Sequence, residues 1–224
     1  MALDSSIRVK ICGLRRPEDA CLATQLGAWA LGFIFFEGSP RAVTPAAAAN
    51  VVAEVKQRCG HTPLIVGVFV GADLATIVET TRTVPLDLVQ LHGDEPPELV
   101  VQLPTAAIKA FRVAPGATDS AQFHGYEGAA FWLIDADVKG QYGGTGKTTD
   151  WALARRVAAR HQVILSGGLT PLNALAAIAA TKPYAIDLSS GVEAAPGIKA
   201  HDKLRALFSA LTVADVLKSE GSDL

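Results

Sequence analysis

Five residues with acid, base or anion-binding side chains stand at or beside the ends of short apolar runs. Cys12 closes RVKIC, His92 closes LDLVQLH, Asp135 closes FWLID, Asp187 lies in AIDLS, and Arg41 follows ALGFIFF in the loop EGSPRAVT. A carboxylate at the end of a buried run needs a partner or a purpose, because desolvating an unpaired charge is expensive. A thiol serves as base or nucleophile only as its thiolate. Lys10 lies two residues before Cys12 and shares its face in an extended strand. It either favours that thiolate or pairs with an interior carboxylate. Taken singly, each residue has a plainer reading: Cys12 as a small buried hydrophobe, His92 as a cap of the next turn, Arg41 as a solvated loop charge. Taken together, they can move protons on an anionic substrate.

Three glycine clusters accompany them: GGTGK inside GQYGGTGKTTDW (140–151), SGGLTP (166–171) and LSSGVE (188–193). The first contains GTGKTT and suggests a nucleotide-binding P-loop. The Walker pattern, however, requires a glycine five residues before the Gly of Gly-Lys-Thr. Counting back from Gly146 reaches Gln141, so a nucleotide hydrolase is disfavoured. The remaining use is a phosphate carried by another molecule, cradled by backbone N–H groups and a helix N-terminus.

The elements that must position these groups repeat one rhythm: a short β-branched run, then an alanine-rich helical segment. The strand-like runs are 8–12, 30–36, 63–70, 86–92, 107–113, 131–135, 162–166 and 185–189. Most are nearly continuous apolar runs, as parallel strands buried on both faces require. Helices are predicted over 17–28, after Thr44-Pro45, over 73–82 and 96–103, after caps at Asp150 and Thr170, and over 199–211. The weakest helix signal is around TDSAQFHGYEG (118–128). Eight such units predict an α/β fold, a single-domain (β/α)8 barrel over 1–224, with flexible tails at 1–6 and 213–224. An open doubly wound sheet ranks second, because CGLRRPED stands where G-x-G-x-x-G would follow the first strand. In a closed barrel, ligand chemistry gathers at the C-terminal strand ends, and the loops after strands seven and eight hold phosphate.

The bulk numbers agree with a well-packed globule. The 224 residues are 50% hydrophobic and 19% charged with net charge −2, which gives no reason to expect nucleic acid or an anionic membrane as partner. No run offers the ~20 apolar residues of a membrane span. Three cysteines, Cys12, Cys21 and Cys59, show neither metal-ligand spacing nor a disulfide framework, so a reducing cytoplasm is expected.

KICGL (10–14), SPR (39–41), VGVFV (66–70), VQLHGDE (89–95), LID (133–135), YGGTGKTTDW (142–151), LSGGLTP (165–171) and AIDLSSGVEAAPGIKAHDKL (185–204) run in one order along the chain. In that order they resemble the phosphoribosylanthranilate isomerases of tryptophan biosynthesis. The resemblance implies a cofactor-free, metal-free Amadori rearrangement of N-(5-phosphoribosyl)anthranilate to its 1-deoxyribulose isomer. It implies Cys12 as general base and Asp135 as general acid, with Arg41 on the anthranilate carboxylate. His92 and Asp187 would line the pocket, and Gly144, Gly146, Gly168, Ser190 and Gly191 would bind phosphate through backbone amides. Asp135 can then act only if it carries a proton in the complex. The chain departs from the family pattern at Leu14-Arg15-Arg16, where Ile-Thr is usual, and at both termini. The implied partner is a small phosphorylated substrate, with the chain acting as a monomer or homodimer. Two alternatives stay open: another phosphosugar-acting barrel isomerase or epimerase, and a non-catalytic phospho-ligand binding module.

Overall fold

A computed structural model of the chain describes residues 7–113, 123–136 and 150–221. Eight parallel strands form a closed barrel in sequence order: β1 (Arg8–Cys12), β2 (Ala30–Ile34), β3 (Leu64–Phe69), β4 (Leu88–Leu91), β5 (Ala106–Val113), β6 (Phe131–Ala136), β7 (Val163–Leu165) and β8 (Ala185–Leu188). β8 closes onto β1 with Lys10 opposite Asp187. The expected runs contain these strands to within a few residues. The ends of four expected runs, Phe36, His92, Ser166 and Ser189, fall past the last strand residue.

Strand parity sorts the side chains into two apolar sets. Val9, Ile11, Leu31, Phe33, Ile65, Val89 and Ile134 join the larger core under the helices. Ala30, Val66, Leu88, Ile108, Ala110, Leu133, Ile164 and Ala185 form a smaller cluster, with Trp29, Leu64, Phe131 and Tyr184 packed against it. Trp29, Phe131 and Tyr184 contact one another edge-on or tilted, with centroids 5.1–5.9 Å apart. The Arg8 guanidinium lies 4.4 Å over the Tyr184 ring. These residues sit at or before the N-terminal strand ends and form the floor of the barrel.

The helices between the strands are α1 (Pro17–Gln25), α2 (Pro45–Cys59), α3 (Leu74–Thr83), α4 (Pro97–Val100), α5 (Trp151–Ala158), α6 (Ala174–Thr181) and α7 (His201–Gly221). Thr44 caps α2 by accepting from Ala47 N, and Asp150 caps α5 by accepting from Ala152 N and Leu153 N. α2 ends at Gly60 in the left-handed conformation, where glycine carries no Cβ penalty.

Three expectations change. Thr170 does not cap α6: the helix begins at Ala174, and Asn173 Oδ1 accepts from Thr170 N across a preceding turn. α4 is a single turn instead of spanning 96–103. The weak helix signal at 118–128 falls partly on residues outside the described set, and within it 124–128 run through turns. α7 continues past 211 to Gly221, into the stretch read as a tail, while residues 1–6 lie outside the described set. A short hairpin, β9 (Glu193–Ala195) and β10 (Ile198–Lys199), follows β8.

Candidate active site

One cleft at the C-terminal strand ends is lined by Cys12, Arg41, His92, Asp135 and Asp187, the five residues read from the sequence as chemically active. It encloses about 510 Å³ of space open to solvent. Ile34, Phe36, Val68 and Val70 supply an apolar wall, and Gln90, Ser166 and Ser189 add polar atoms.

β1 and β8 carry the first group. Lys10 is fully buried, and its Nζ donates to Asp187 Oδ1 at 3.0 Å. Lys10 thus does pair with an interior carboxylate. Burial alone would lower its pKa, but Asp187 and Cys12 together raise it, so it stays an ammonium. Cys12 lies at the next inward position. Burial pushes its thiol up, Lys10 and Lys199 pull it down, Asp187 pushes it up again, and the net shift is upward. Lys10 does pull this pKa down, as expected, but the net shift is upward and not below the free value. Taking a thiolate out of water outweighs a cation already shared with Asp187.

Arg41 belongs to the second group. Its Nε donates to Glu193 Oε1 at 2.9 Å and its Nη2 to Glu193 Oε2 at 2.8 Å. Lys199 Nζ donates to Glu193 Oε1, to Ser189 O and to Cys12 O, at 2.9, 3.1 and 2.6 Å. One carboxylate thereby ties the β2 loop, the end of β1 and the hairpin after β8. Burial would raise the Glu193 pKa, but hydrogen bonds from Arg41 and the charge of Lys199 hold it below the ordinary glutamate range.

The third group spans β4 and β6. Gln90 Nε2 lies 2.7 Å from His92 Nδ1. His92 Nε2 stands 3.3 Å from Asp135 Oδ2, within ion-pair distance but not aligned for a hydrogen bond.

Two of the three glycine clusters, after β7 and β8, lie beside this cleft. Gly167 and Gly168 have φ of 87° and 63°, a turn that other residues enter only with strain. A Cβ on Gly191 would come within 1.8 Å of Leu169 O, so only glycine lets the β7 and β8 loops touch. Asn173 Nδ2 donates to Gly168 O and completes that turn. Ser190 and Gly191 open a single 3₁₀ turn. Gly168, Ser190 and Gly191 flank the cleft through their neighbours Ser166 and Ser189. Gly144 and Gly146 lie outside the described residues. Among the described residues, no group of three or more His, Cys, Asp or Glu side chains is set to hold a metal, and no helix is long and apolar enough to cross a membrane.

Gln90, Glu193 and Lys199 escaped the sequence reading. Gln90 had a usable signal, since it shares strand parity with His92 in VQLHG. Glu193 and Lys199 stand within a quoted segment, but nothing local connects them to Arg41.

The family model described as "N-(5'phosphoribosyl)anthranilate (PRA) isomerase" matches residues 9–210. An N-(5'-phosphoribosyl)anthranilate isomerase of Geobacter metallireducens is 46% identical over 201 residues, covering 89% of this chain and 96% of that protein. The crystal structure of the phosphoribosyl anthranilate isomerase of Thermus thermophilus superimposes with TM-score 0.82 at 38% identity, covering 93% of this chain and 100% of that one. A phosphoribosyl anthranilate isomerase in complex with reduced 1-(o-carboxyphenylamino)-1-deoxyribulose 5-phosphate aligns with TM-score 0.76 at 33% identity, covering 92% and 98%. With closed barrel, clustered cleft and full-length relatives in agreement, this chain belongs to the N-(5'-phosphoribosyl)anthranilate isomerase family, enzymes of tryptophan biosynthesis.

Proposed function

We propose that this cleft carries out the Amadori rearrangement of N-(5-phosphoribosyl)anthranilate, with Asp135 as general acid and Cys12 as general base. The observation that carries the assignment is the shared cleft: a thiol from β1 and a carboxyl from β6 line it together with the Arg41 guanidinium. Asp135 protonates the furanose ring oxygen as the C1–O bond breaks, leaving an iminium. That positive charge acidifies the C2 hydrogen, which Cys12 removes. The enolamine then becomes the ketone by moving its enol proton from oxygen and gaining one at C1.

The raised thiol pKa fits this order of events. Before ring opening Cys12 is a thiol. The iminium is a new cation in the cleft and favours the thiolate, so the thiol gives its own proton to solvent and then takes the one on C2. Base activation thus follows acid catalysis and does not compete with it. Each group is asked for roughly 10²- to 10⁴-fold.

Arg41 is suited to the anthranilate carboxylate. Glu193 fixes its Nε and Nη2, while the described residues give its Nη1 no hydrogen-bond partner. The turns at Gly168 and Ser190–Gly191 are suited to the phosphate through backbone N–H groups. Gripping both ends of the substrate fixes its orientation, an effect worth up to several kcal/mol. The ligand is a small phosphorylated molecule, the chain acts as a monomer or homodimer, and its compartment is the cytoplasm.

The test is fluorimetric, because consuming the substrate changes anthranilate emission. Asp135→Asn and Cys12→Ser each nearly abolish turnover while substrate still binds. Normal turnover in either variant removes that residue from the mechanism.

A further inference from the structure

Gln90 is 1% exposed, is neutral, and sits in the middle of the catalytic cleft. No step of the rearrangement calls for it. Its amide Nε2 lies 2.7 Å from His92 Nδ1, while its Oε1 is buried without a hydrogen-bond partner. An amide nitrogen only donates, so at this distance Nδ1 must accept. A neutral imidazole that accepts at Nδ1 carries its proton at Nε2. Nε2 is the atom that stands 3.3 Å from Asp135 Oδ2.

We propose that Gln90 is a positioning residue that holds His92 as the neutral Nε2–H tautomer and so keeps the acid proton on Asp135. This rests on the assignment of Asp135 as the general acid. Nε2 already bears hydrogen and cannot take the Asp135 proton. Protonation at Nδ1 would set two N–H groups against each other across 2.7 Å. An imidazolium would first need the Gln90 amide to turn over. Were it to form, a cation beside Asp135 would favour the carboxylate and empty the acid. The neutral imidazole turns a hydrogen-bearing Nε2, and no charge, toward Asp135 Oδ2.

Among the described residues lining the cleft, the neighbouring elements supply no second imidazole. Across the cleft stand Cys12 of β1, Arg41 of the β2 loop and Asp187 of β8, with Lys10 bound to Asp187. From β5, Arg112 is the register partner of Asp135 and donates to Asp94 Oδ1 at 2.7 Å, while Lys109, on the outward parity, donates to Gly93 O and to Glu95 Oε2 at 2.8 Å. β3 offers Val68 and Val70.

The direct test is ¹⁵N NMR of histidine-labelled protein, with His92→Asn assigning the resonances. The expected result for the unaltered protein at neutral pH is an unprotonated Nδ1 and a protonated Nε2. A protonated Nδ1 overturns the proposal whether or not any variant folds. Gln90→Glu supplies an acceptor in place of the donor and draws a proton onto Nδ1. Its imidazolium, a cation beside the proposed acid, should move the alkaline limb of kcat/KM toward acid by about one to three pH units. Gln90→Met keeps the bulk and removes the donor, and should show mixed tautomers. A folded Gln90→Glu with an unmoved limb, or a folded Gln90→Met with the native tautomer, refutes the role. Asp135→Asn, assayed alongside, separates the two readings: turnover there refutes the acid assignment, whereas a protonated Nδ1 refutes the tautomer lock and leaves that assignment standing.

Discussion

Arg41 and Glu193, separated by 152 residues, meet as a side-on ion pair with contacts of 2.8–3.1 Å. Both are nearly buried, so the pair is little screened by solvent. It orients the guanidinium and leaves one edge for an incoming carboxylate. Glu193→Gln should therefore weaken substrate binding more than chemistry. Losing a charge-assisted hydrogen bond is worth about 1.5–3 kcal/mol, so KM should rise about tenfold or more with a smaller change in kcat. Arg41→Ala should raise KM further. Steady-state kinetics that put the whole loss in kcat would show that Glu193 does not act through binding.

The Cys12 thiol, raised by burial, should react with iodoacetamide only slowly at neutral pH, with a midpoint above that of an ordinary thiol. Asp187 raises this pKa further, since a negative charge disfavours a second one. In Asp187→Asn that charge is gone and Lys10 is released toward the sulfur. The midpoint should then move to lower pH. Peptide mapping of alkylation at Cys12 against pH measures it, and an unchanged or higher midpoint contradicts the stated cause.

Gly32 stands opposite Cys12 on the neighbouring strand. A Cβ there would come within 2.9 Å of Cys12 Sγ and 3.1 Å of its Cα. Gly32→Ala should keep the barrel at a cost of about 1–3 kcal/mol. It should also displace the sulfur and lower kcat by up to ~10²-fold, as small misplacements of reacting groups do. Thermal denaturation beside turnover separates the two effects. Full activity in a folded variant would mean that the proposed base is not positioned by this contact.

Asp19 is buried in α1. It accepts from Arg16 Nη2 at 2.8 Å and Lys199 N at 3.0 Å, and it faces His201 Nε2 at 2.9 Å. Burial would raise its pKa, but the hydrogen bonds from Arg16, Lys199 and His201 hold it below the ordinary aspartate range. A depressed carboxyl stabilises the fold above its unfolded pKa, and that contribution disappears as pH falls through the folded value. Asp19→Asn should cost roughly 1–3 kcal/mol at neutral pH. It should also flatten the acid side of the stability curve below the usual aspartate range. Denaturant titrations at several pH values test this, and a difference from the unaltered protein that stays constant with pH would contradict it.

The barrel was legible because its strands are continuous apolar runs, and only a parallel sheet covered on both faces buries such runs. Cys12, His92 and Asp135 were legible because polarity begins where those runs stop. Gln90 was not, since one neutral amide in a strand carries no charge signal. The hold of Glu193 on Arg41 is set by closure of the barrel, which no local pattern encodes. Thr170-Pro171 imitates a helix start, yet Asn173 takes the Thr170 N–H and delays the helix to Ala174. The Cys12 shift depends on how much water burial removes, a quantity that side-chain spacing alone cannot supply.

Trp29, Phe131 and Tyr184, pinned by Arg8, plug the end of the barrel opposite the cleft. Traffic therefore has a single doorway. A product molecule must back out the way its precursor came in, so the two contend for the same threshold. Accumulated product should inhibit in strict competition with substrate, and the supply of fresh substrate sets how soon the chamber is emptied and refilled.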